Sequence, residues 1–292
     1  MLILGFGDYE APGLSLADEL GVAFRKVDIH RFPDGESRVR IPAEVPEHVV
    51  LCRSLDHPNE KLVEVLLTAE TARGLGAKRL TLVAPYLCYM RQDAAFAAGD
   101  AVSQTIIGRF LGELFDDVVT VDPHLHRTVT LADALPNTRS LELTATGLMA
   151  DHLRQRSDPP LVLLGPDEES RQWVERVATH CDLPYAIATK SRFGDRHVRI
   201  DLPALDLADR NVVLIDDVAS SGETLATAAR ALHATGASGI SAMVSHGIFA
   251  PGAVDTLHSA GIGAIVSSDS VCHPSNGMAL AGVLADGLAR IA

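Results

Sequence analysis

Short runs of β-branched and aliphatic residues alternate with stretches of helical period along nearly the whole chain, and this alternation most limits what it can fold into. Val49-Val50-Leu51 precedes residues 59–76, in which Leu62, Val65, Leu66, Ala69 and Ala72 recur at helical spacing. Leu80 to Ala84 reads as the next strand, Ala101 to Phe115 as an amphipathic helix, and Asp117 to Val121 as a strand. The pattern resumes with strand Leu161 to Leu164, helix Glu168 to His180, strand Asn211 to Ile215, helix Glu223 to Gly236, and strands Ile240 to Ser245 and Ala264 to Ser267. Continuous apolar strands separated by helices predict an α/β fold, its mainly parallel sheets covered by helices on both faces. Two hairpin-like segments interrupt the order: Val22 to Ile41, turning at Phe32-Pro33-Asp34-Gly35-Glu36, and Ala186 to Ile200, turning at Gly194-Asp195.

Periodicity is weakest from Leu131 to Leu153, which places a domain boundary near residue 140. The expectation is an N-terminal domain over 1–140 and a C-terminal domain over 141–292, with the last helix able to pack back on the first. The two halves read as βαβ units of similar size, as a duplication would leave, although their sequence identity is too weak to establish one. Length supports this, since 292 residues suffice for two medium domains.

Apolar residues make up 47% of the chain and aromatics 4%, so the core is aliphatic. Acidic residues outnumber basic ones, 38 against 25, for a net charge of −13, which argues against nucleic-acid binding, because affinity for a phosphate backbone needs clustered cations. Cys52, Cys88, Cys181 and Cys272 are dispersed, which suits neither a disulfide framework nor a zinc site, and they read as four small buried residues in a reducing compartment. The apolar start Met1-Leu2-Ile3-Leu4 is cut short by Gly5, Gly7 and Asp8, so neither a signal peptide nor a membrane anchor is expected. A soluble, cytoplasmic protein without membrane partners is the expectation.

Residues 212–224, Val-Val-Leu-Ile-Asp-Asp-Val-Ala-Ser-Ser-Gly-Glu-Thr, carry the most chemical information. An apolar strand ends in two carboxylates, Asp216 and Asp217, and a loop of small residues opens a helix. Ligands of open α/β sheets bind beyond the carboxyl ends of the strands. Ser220, Ser221, Gly222, Glu223 and Thr224 can offer backbone N–H groups and hydroxyls to an anion at the helix N-terminus. A plain capped turn also uses Ser, Thr and Gly, but it has no need of adjacent carboxylates. No Walker-type Gly-Lys loop occurs. A phosphate nest beside two acids suits a sugar phosphate, the nest taking the phosphate and the acids the ribose diol.

This segment resembles the phosphoribosyl-binding signature of type I phosphoribosyltransferases, and further segments narrow the resemblance to the ribose-phosphate pyrophosphokinase family. Phe32-Pro33-Asp34-Gly35-Glu36 is similar to its F-x-D-G-E turn, and residues 85–93 to its P-Y-x-x-Y-x-R-Q-D loop. Val121-Asp122-Pro123-His124, Gly165-Pro166-Asp167, Lys190-Ser191-Arg192 and residues 245–249 follow in family order. Gly99 to Ser103 and Lys190 to Arg192 look most like the shorter, archaeal-type branch. The resemblance implies two type I phosphoribosyltransferase-like domains and the transfer of a diphosphoryl group from Mg-ATP to the C1 hydroxyl of ribose 5-phosphate. Phosphoribosyl pyrophosphate and AMP would be the products.

The same resemblance implies the roles. Phe32, Asp34, Gly35 and Glu36 would reach ATP in a neighbouring subunit, which requires a homo-oligomer, at least a dimer. Arg91 and Gln92 would bind the same nucleotide. Lys190 would be catalytic, stabilising charge on the transferring group. Arg192, Asp216, Asp217 and Ser220 to Thr224 would hold ribose 5-phosphate, and His124 and Asp167 would hold Mg2+. An isolated histidine is more often structural, and Asp167 is equally placed to be a helix N-cap. A lone K-x-R on an exposed strand is usually a solvated face. A phosphoribosyltransferase, or a regulatory paralogue that binds ribose phosphates or nucleotides without turnover, are the alternatives. The first leaves Phe32 to Glu36, Arg91 and Gln92 unexplained.

Overall fold

The computed structural model describes every residue except 126, 156–160, 194–196, 203–206, 208 and 292; for 190–193 and 197–201 it describes the backbone alone. The chain divides into two compact units, one of residues 1–144, 270–272 and 280–292, the other of 145–269 and 273–279.

The first unit contains β1 (Leu2–Gly5), α1 (Glu10–Leu20), β2 (Ala23–Lys26), β3 (Asp28–Arg31), β4 (Ser37–Arg40), β5 (His48–Cys52) and α2 (Pro58–Gly74). It continues with β6 (Arg79–Val83), α3 (Ser103–Leu114), β7 (Asp117–Val121), α4 (Leu131–Ala134) and β8 (Arg139–Leu143). Among the described residues its main sheet has six parallel strands in the order β2-β1-β5-β6-β7-β8. The central strands are buried along almost their whole length, which is why they read as unbroken apolar runs rather than alternating ones. Strands β3 and β4 stand apart as an antiparallel hairpin in which Arg31 pairs with Ser37.

The second unit contains α5 (Thr146–Arg154), β9 (Leu161–Gly165), α6 (Arg171–Cys181), β10 (Tyr185–Ile187), β11 (Thr189–Phe193), β12 (His197–Asp201) and β13 (Asn211–Ala219). Then come α7 (Glu223–His233), β14 (Gly239–Gly247), α8 (Ala253–Ser259), β15 (Ile262–Ser268) and β16 (Asn276–Met278). Its sheet, again six parallel strands among the described residues, runs β10-β9-β13-β14-β15-β16, and β11 and β12 form a separate antiparallel hairpin. The last helix, α9 (Ala281–Ile291), belongs to the first unit and packs on α1.

The two sheets repeat one topology strand for strand. Each begins with a central strand, steps to the edge, makes a detached hairpin and returns to the centre before running outward through three more strands. The expectation of an α/β fold with mainly parallel sheets therefore holds, and the repetition exists in topology even though it is faint in sequence.

Several boundaries differ from expectation. Strand β13 runs four residues beyond Ile215, because its pairing with β14 continues through Asp216–Val244, Val218–His246 and Ala219–Gly247. The run from Val22 to Ile41 is an edge strand followed by a hairpin, not a hairpin alone. In the stretch of weakest periodicity, α4 and α5 are short helices. Cys52 and Cys88 are buried as expected, with burial pushing the Cys88 thiol up to about 12, but Cys181 is half-buried and Cys272 exposed. Among the described residues no helix is long and apolar enough to cross a membrane.

Candidate functional site

In the second unit the carboxyl end of β13 carries Asp216 and Asp217 into the loop 220–222, and Gly222 is the N-cap of α7 with φ +75°. That left-handed conformation suits glycine, and a Cβ there would lie 3.1 Å from Leu257 Cγ and Cδ2, so the loop is tight as well as turned. The Ser220 carbonyl accepts from the Ala250 N–H at 2.9 Å, and the Ala219 carbonyl from the N–H groups of Ile248 and Phe249 at 3.0 and 3.1 Å. These bonds fix the loop backbone and explain the structural use of the 245–249 segment. Helix geometry leaves the first N–H groups of α7 without intrahelical carbonyls. The Glu223 N–H approaches Ser221 Oγ at 3.4 Å, while the Glu223 carboxylate turns along its own helix to Arg230, 3.1 Å away. Glu223 thus offers the loop its backbone rather than its charge. Ser221 is exposed and Thr224 half-buried at the helix start.

Asp217 is buried and Asp216 half-buried, and the Asp217 N–H donates to Asp216 Oδ1 at 3.0 Å. Burial, then the charges of Asp217 and Asp167, push the Asp216 carboxyl well above the usual carboxylate range. Three acids therefore sense one another at the carboxyl ends of neighbouring strands β9 and β13. Asp167 also caps the short helical turn 168–170, its Oδ1 accepting from the Glu169 N–H at 3.2 Å. The capping reading and the site reading are compatible, since one carboxylate oxygen makes that bond. The adjacent Glu168 is bound to Arg171 at 2.5 and 2.9 Å, which directs its charge away from Asp167.

Lys190 and Arg192 lie on β11, paired in register with Ile200 and Val198; their side chains, and the turn at Gly194-Asp195, are outside the described residues.

The first unit holds the other expected residues. The Phe32–Glu36 turn joins β3 to β4 and is bonded internally: Phe32 N–H to the Glu36 carbonyl at 2.8 Å, Gly35 N–H to the Phe32 carbonyl at 2.9 Å, and Glu36 N–H to Asp34 Oδ1 at 3.1 Å. Asp34, Gly35, Glu36 and Ser37 line one side of a 600 Å³ cavity whose other side is Asn59, Glu60, Val63 and Leu67 of the α2 region. Arg91 is exposed; Gln92 accepts from Ser103 Oγ at 2.5 Å, and its carbonyl takes the Gln104 N–H at 3.1 Å. Asp93, next in the same loop, is gripped by the Arg127 N–H and guanidinium at 2.8 and 2.7 Å. Burial alone would raise Asp93, but Arg127 holds it below its ordinary value. Among the described residues no hydrogen bond or ion pair joins the Phe32–Glu36 turn to Arg91 or Gln92. His124 is half-buried just past β7, beside the buried Asp122. Among the described residues no group of three or more His, Cys, Asp or Glu is placed to hold a metal unaided.

Sequence reasoning passed over two features of this unit. Arg127, which no motif marks, anchors the loop carrying Arg91 and Gln92 through its two bonds to Asp93. The second is an ion network beneath the β3–β4 hairpin, in which the buried pair Arg53–Glu64 is joined to exposed Asp8 and half-buried Lys61. A glutamate and an arginine in amphipathic surroundings ordinarily read as solvated, and their pairing joins residues distant in sequence.

Comparison with known proteins agrees with this architecture. Residues 3–114 match the family described as the N-terminal domain of ribose phosphate pyrophosphokinase, and residues 132–255 the phosphoribosyl transferase domain. The ribose-phosphate pyrophosphokinase of Methanopyrus kandleri is 32% identical over 293 residues, covering 100% of this chain and 99% of that protein. That of Saccharolobus solfataricus is 32% identical over 279 residues, covering 93% of each. The crystal structure of phosphoribosylpyrophosphate synthetase from Mycobacterium smegmatis shares the fold, with a TM-score of 0.83 at 22% identity over 99% of this chain and 98% of that one. With end-to-end similarity to these relatives and both domain families matched in order, the chain belongs to the ribose-phosphate pyrophosphokinase family.

Proposed function

We propose that this enzyme transfers the β,γ-diphosphoryl group of ATP to the C1 hydroxyl of ribose 5-phosphate, giving phosphoribosyl pyrophosphate and AMP. The C1 oxygen attacks the β-phosphorus in line, the bond from that phosphorus to the oxygen bridging it to the α-phosphorus breaks, AMP departs, and the hydroxyl proton is lost. The reading is carried by the strand–loop–helix of residues 211–233, in which a fixed turn at a helix N-terminus stands directly after two carboxylates.

In this reading the 5-phosphate rests on the N–H groups and hydroxyls of Ser220 to Thr224, with Arg192 adding charge. Asp216 and Asp217 accept from the ribose hydroxyls, which fixes C1. Phe32, Asp34, Gly35 and Glu36 meet the nucleotide of a neighbouring copy in a homo-oligomer, at least a dimer, and Arg91 and Gln92 meet it as well. Lys190 stabilises the charge that grows on the transferring oxygens, the effect that dominates phosphoryl-type transfer. The cytoplasm, where ATP and sugar phosphates are available, is the expected location.

Magnesium fits the acids of the second unit. It takes oxygen ligands, commonly one or two carboxylates completed by water and substrate phosphates, and a cation would offset the burial and the neighbouring acid charges that push the Asp216 carboxyl up. Asp167 would hold it, and His124 is assigned to the same metal chemistry through the family resemblance alone. When bound, magnesium neutralises phosphate charge.

Calorimetric titration of ribose 5-phosphate into wild type and into the double variant Asp216→Asn, Asp217→Asn tests the loop assignment. An amide accepts more weakly and introduces a misplaced donor, so affinity falls about tenfold or more with the fold intact. Unchanged affinity would take the sugar phosphate away from this loop.

A further inference from the structure

Glu64 carries a fully buried carboxylate, at 0% side-chain exposure, and neither the sugar-phosphate loop nor the nucleotide segments account for it. It sits on α2 with its carboxylate turned toward the base of the β3–β4 hairpin. Oε1 accepts from Arg31 Nε and Nη2, both at 3.3 Å, and from Ser37 Oγ at 3.0 Å. Arg31 ends β3, Ser37 begins β4, and the two are cross-strand partners. Everything between them is the five-residue turn Phe32–Glu36. One carboxylate oxygen therefore holds both ends of that turn.

The other oxygen, Oε2, is 2.7 Å from Nη1 of Arg53, itself 3% exposed. Arg53 is held from two further sides, by Asp8 at 3.1 Å and by the Phe6 ring, 4.4 Å from the guanidinium carbon. The clamp is thus backed by an immobile cation beside the central strands. An exposed pair, Arg31–Glu60 at 2.7 Å, adds a second tie from the same helix but, in solvent, little energy.

A buried ion pair is costly to desolvate, and an apolar cluster of the same volume is commonly at least as stable. Stability alone gives no reason for a charge at this position. The turn, by contrast, is bonded internally and so moves as one piece; its orientation is set at its base, where Glu64 acts.

We infer that Glu64 is a positioning residue for nucleotide binding: it fixes the orientation of the Phe32–Glu36 turn by clamping Arg31 and Ser37, with Arg53 as its counter-charge. The inference rests on the reading of that turn as a nucleotide contact. It gives Glu64 no contact with substrate.

The test compares three full-length variants with wild type: Glu64→Gln, Glu64→Asp and the tip variant Asp34→Ala. Glu64→Gln keeps an acceptor but loses the charge. Glu64→Asp keeps Arg53 compensated, so the fold is spared, but is one methylene too short to reach both Arg31 and Ser37. Steady-state kinetics with each substrate varied, direct binding of a non-hydrolysable ATP analogue, and amide deuterium exchange across residues 32–36 are the readouts. The clamp predicts that both Glu64 variants raise KM for ATP and weaken analogue binding about tenfold, the effect of losing a charge-assisted bond. Amide exchange in the turn rises, while kcat and KM for ribose 5-phosphate stay within about twofold, a factor worth less than half a kcal/mol. Should Asp34→Ala weaken the analogue while both Glu64 variants bind it normally, the clamp is wrong and the turn reading stands. Normal binding by all three variants overturns both. Equal losses in kcat and in both KM values make Glu64 a general structural residue and also overturn the inference.

Discussion

Lys190 is the single residue on which turnover should depend most steeply. A cation aimed at oxygens that gain charge in the transition state lowers the barrier more than it tightens ground-state binding. Lys190→Ala is therefore expected to lower kcat on the order of a thousandfold with much smaller changes in substrate binding, and Lys190→Arg to recover only part, since a planar fork replaces a compact ammonium. Steady-state kinetics paired with calorimetry separates this from a solvated strand lysine, for which neither constant moves. Gly222 offers a complementary test free of charge effects. Its φ of +75° and the 3.1 Å approach of Leu257 mean that Gly222→Ala costs about 1–2 kcal/mol and Gly222→Val more. Thermal melts and ribose 5-phosphate titrations should fall together across that pair; a Gly222→Val protein that binds like wild type would show the loop geometry to be irrelevant.

Among the elements, α9 is held at its last turn by two arginines of the first unit's sheet. Arg79 and Arg139 both donate to the Ile291 carbonyl in its last turn, and the same two guanidinia bind the buried Asp117 at 2.7 and 2.6 Å. Cations at a helix C-terminus satisfy orphan carbonyls and complement the dipole. Burial would raise Asp117, but the hydrogen bonds from Arg79 and Arg139 outweigh it and hold it below the usual carboxylate range. A depressed carboxylate contributes stability above its unfolded pKa and loses it as pH falls through the folded value. Wild type should thus lose stability on acidification below the ordinary carboxylate range, and Asp117→Asn should flatten that limb. At neutral pH Asp117→Asn should lose about 2 kcal/mol, the arginines' partial exposure screening the pair. Denaturant melts across pH read both effects; an unchanged acid limb would remove Asp117 from the account. None of this was legible in sequence, because Asp117 reads as the start of an apolar strand and its partners lie on other strands. What was legible is what periodicity and turn chemistry encode locally: the apolar strands β5, β6, β7 and β9, the long helices α2 and α3, and the Asp-Gly turn of the first hairpin. Helix α1 escaped because Pro12 and Gly13 break its apolar pattern, and β13 was read short because two carboxylates look like an end. The pairing with β14 that carries it onward is a tertiary fact. At the site, Asp216 to Thr224 stood out as an unusual contiguous string, whereas Glu64, Arg53 and Arg127 function through partners that no local window contains.

For the whole molecule, one topology used twice gives two detached hairpins, and each carries residues assigned to the reaction: Phe32 to Glu36 between β3 and β4, Lys190 and Arg192 on β11. If the first hairpin serves a neighbouring copy, Glu36→Ala and Asp216→Asn disable different parts of a shared site, and mixing the two proteins under exchanging conditions should restore part of the activity. Exchange shown by mass spectrometry with no return of activity would mean that each chain uses its own turn. The reaction itself is tested most directly by the identity of the nucleotide product. Purified protein incubated with ATP, magnesium and ribose 5-phosphate, and resolved by anion-exchange chromatography, should release AMP in equal amount to newly formed phosphoribosyl pyrophosphate. ADP with a ribose bisphosphate, or no ribose-5-phosphate-dependent consumption of ATP, would contradict it.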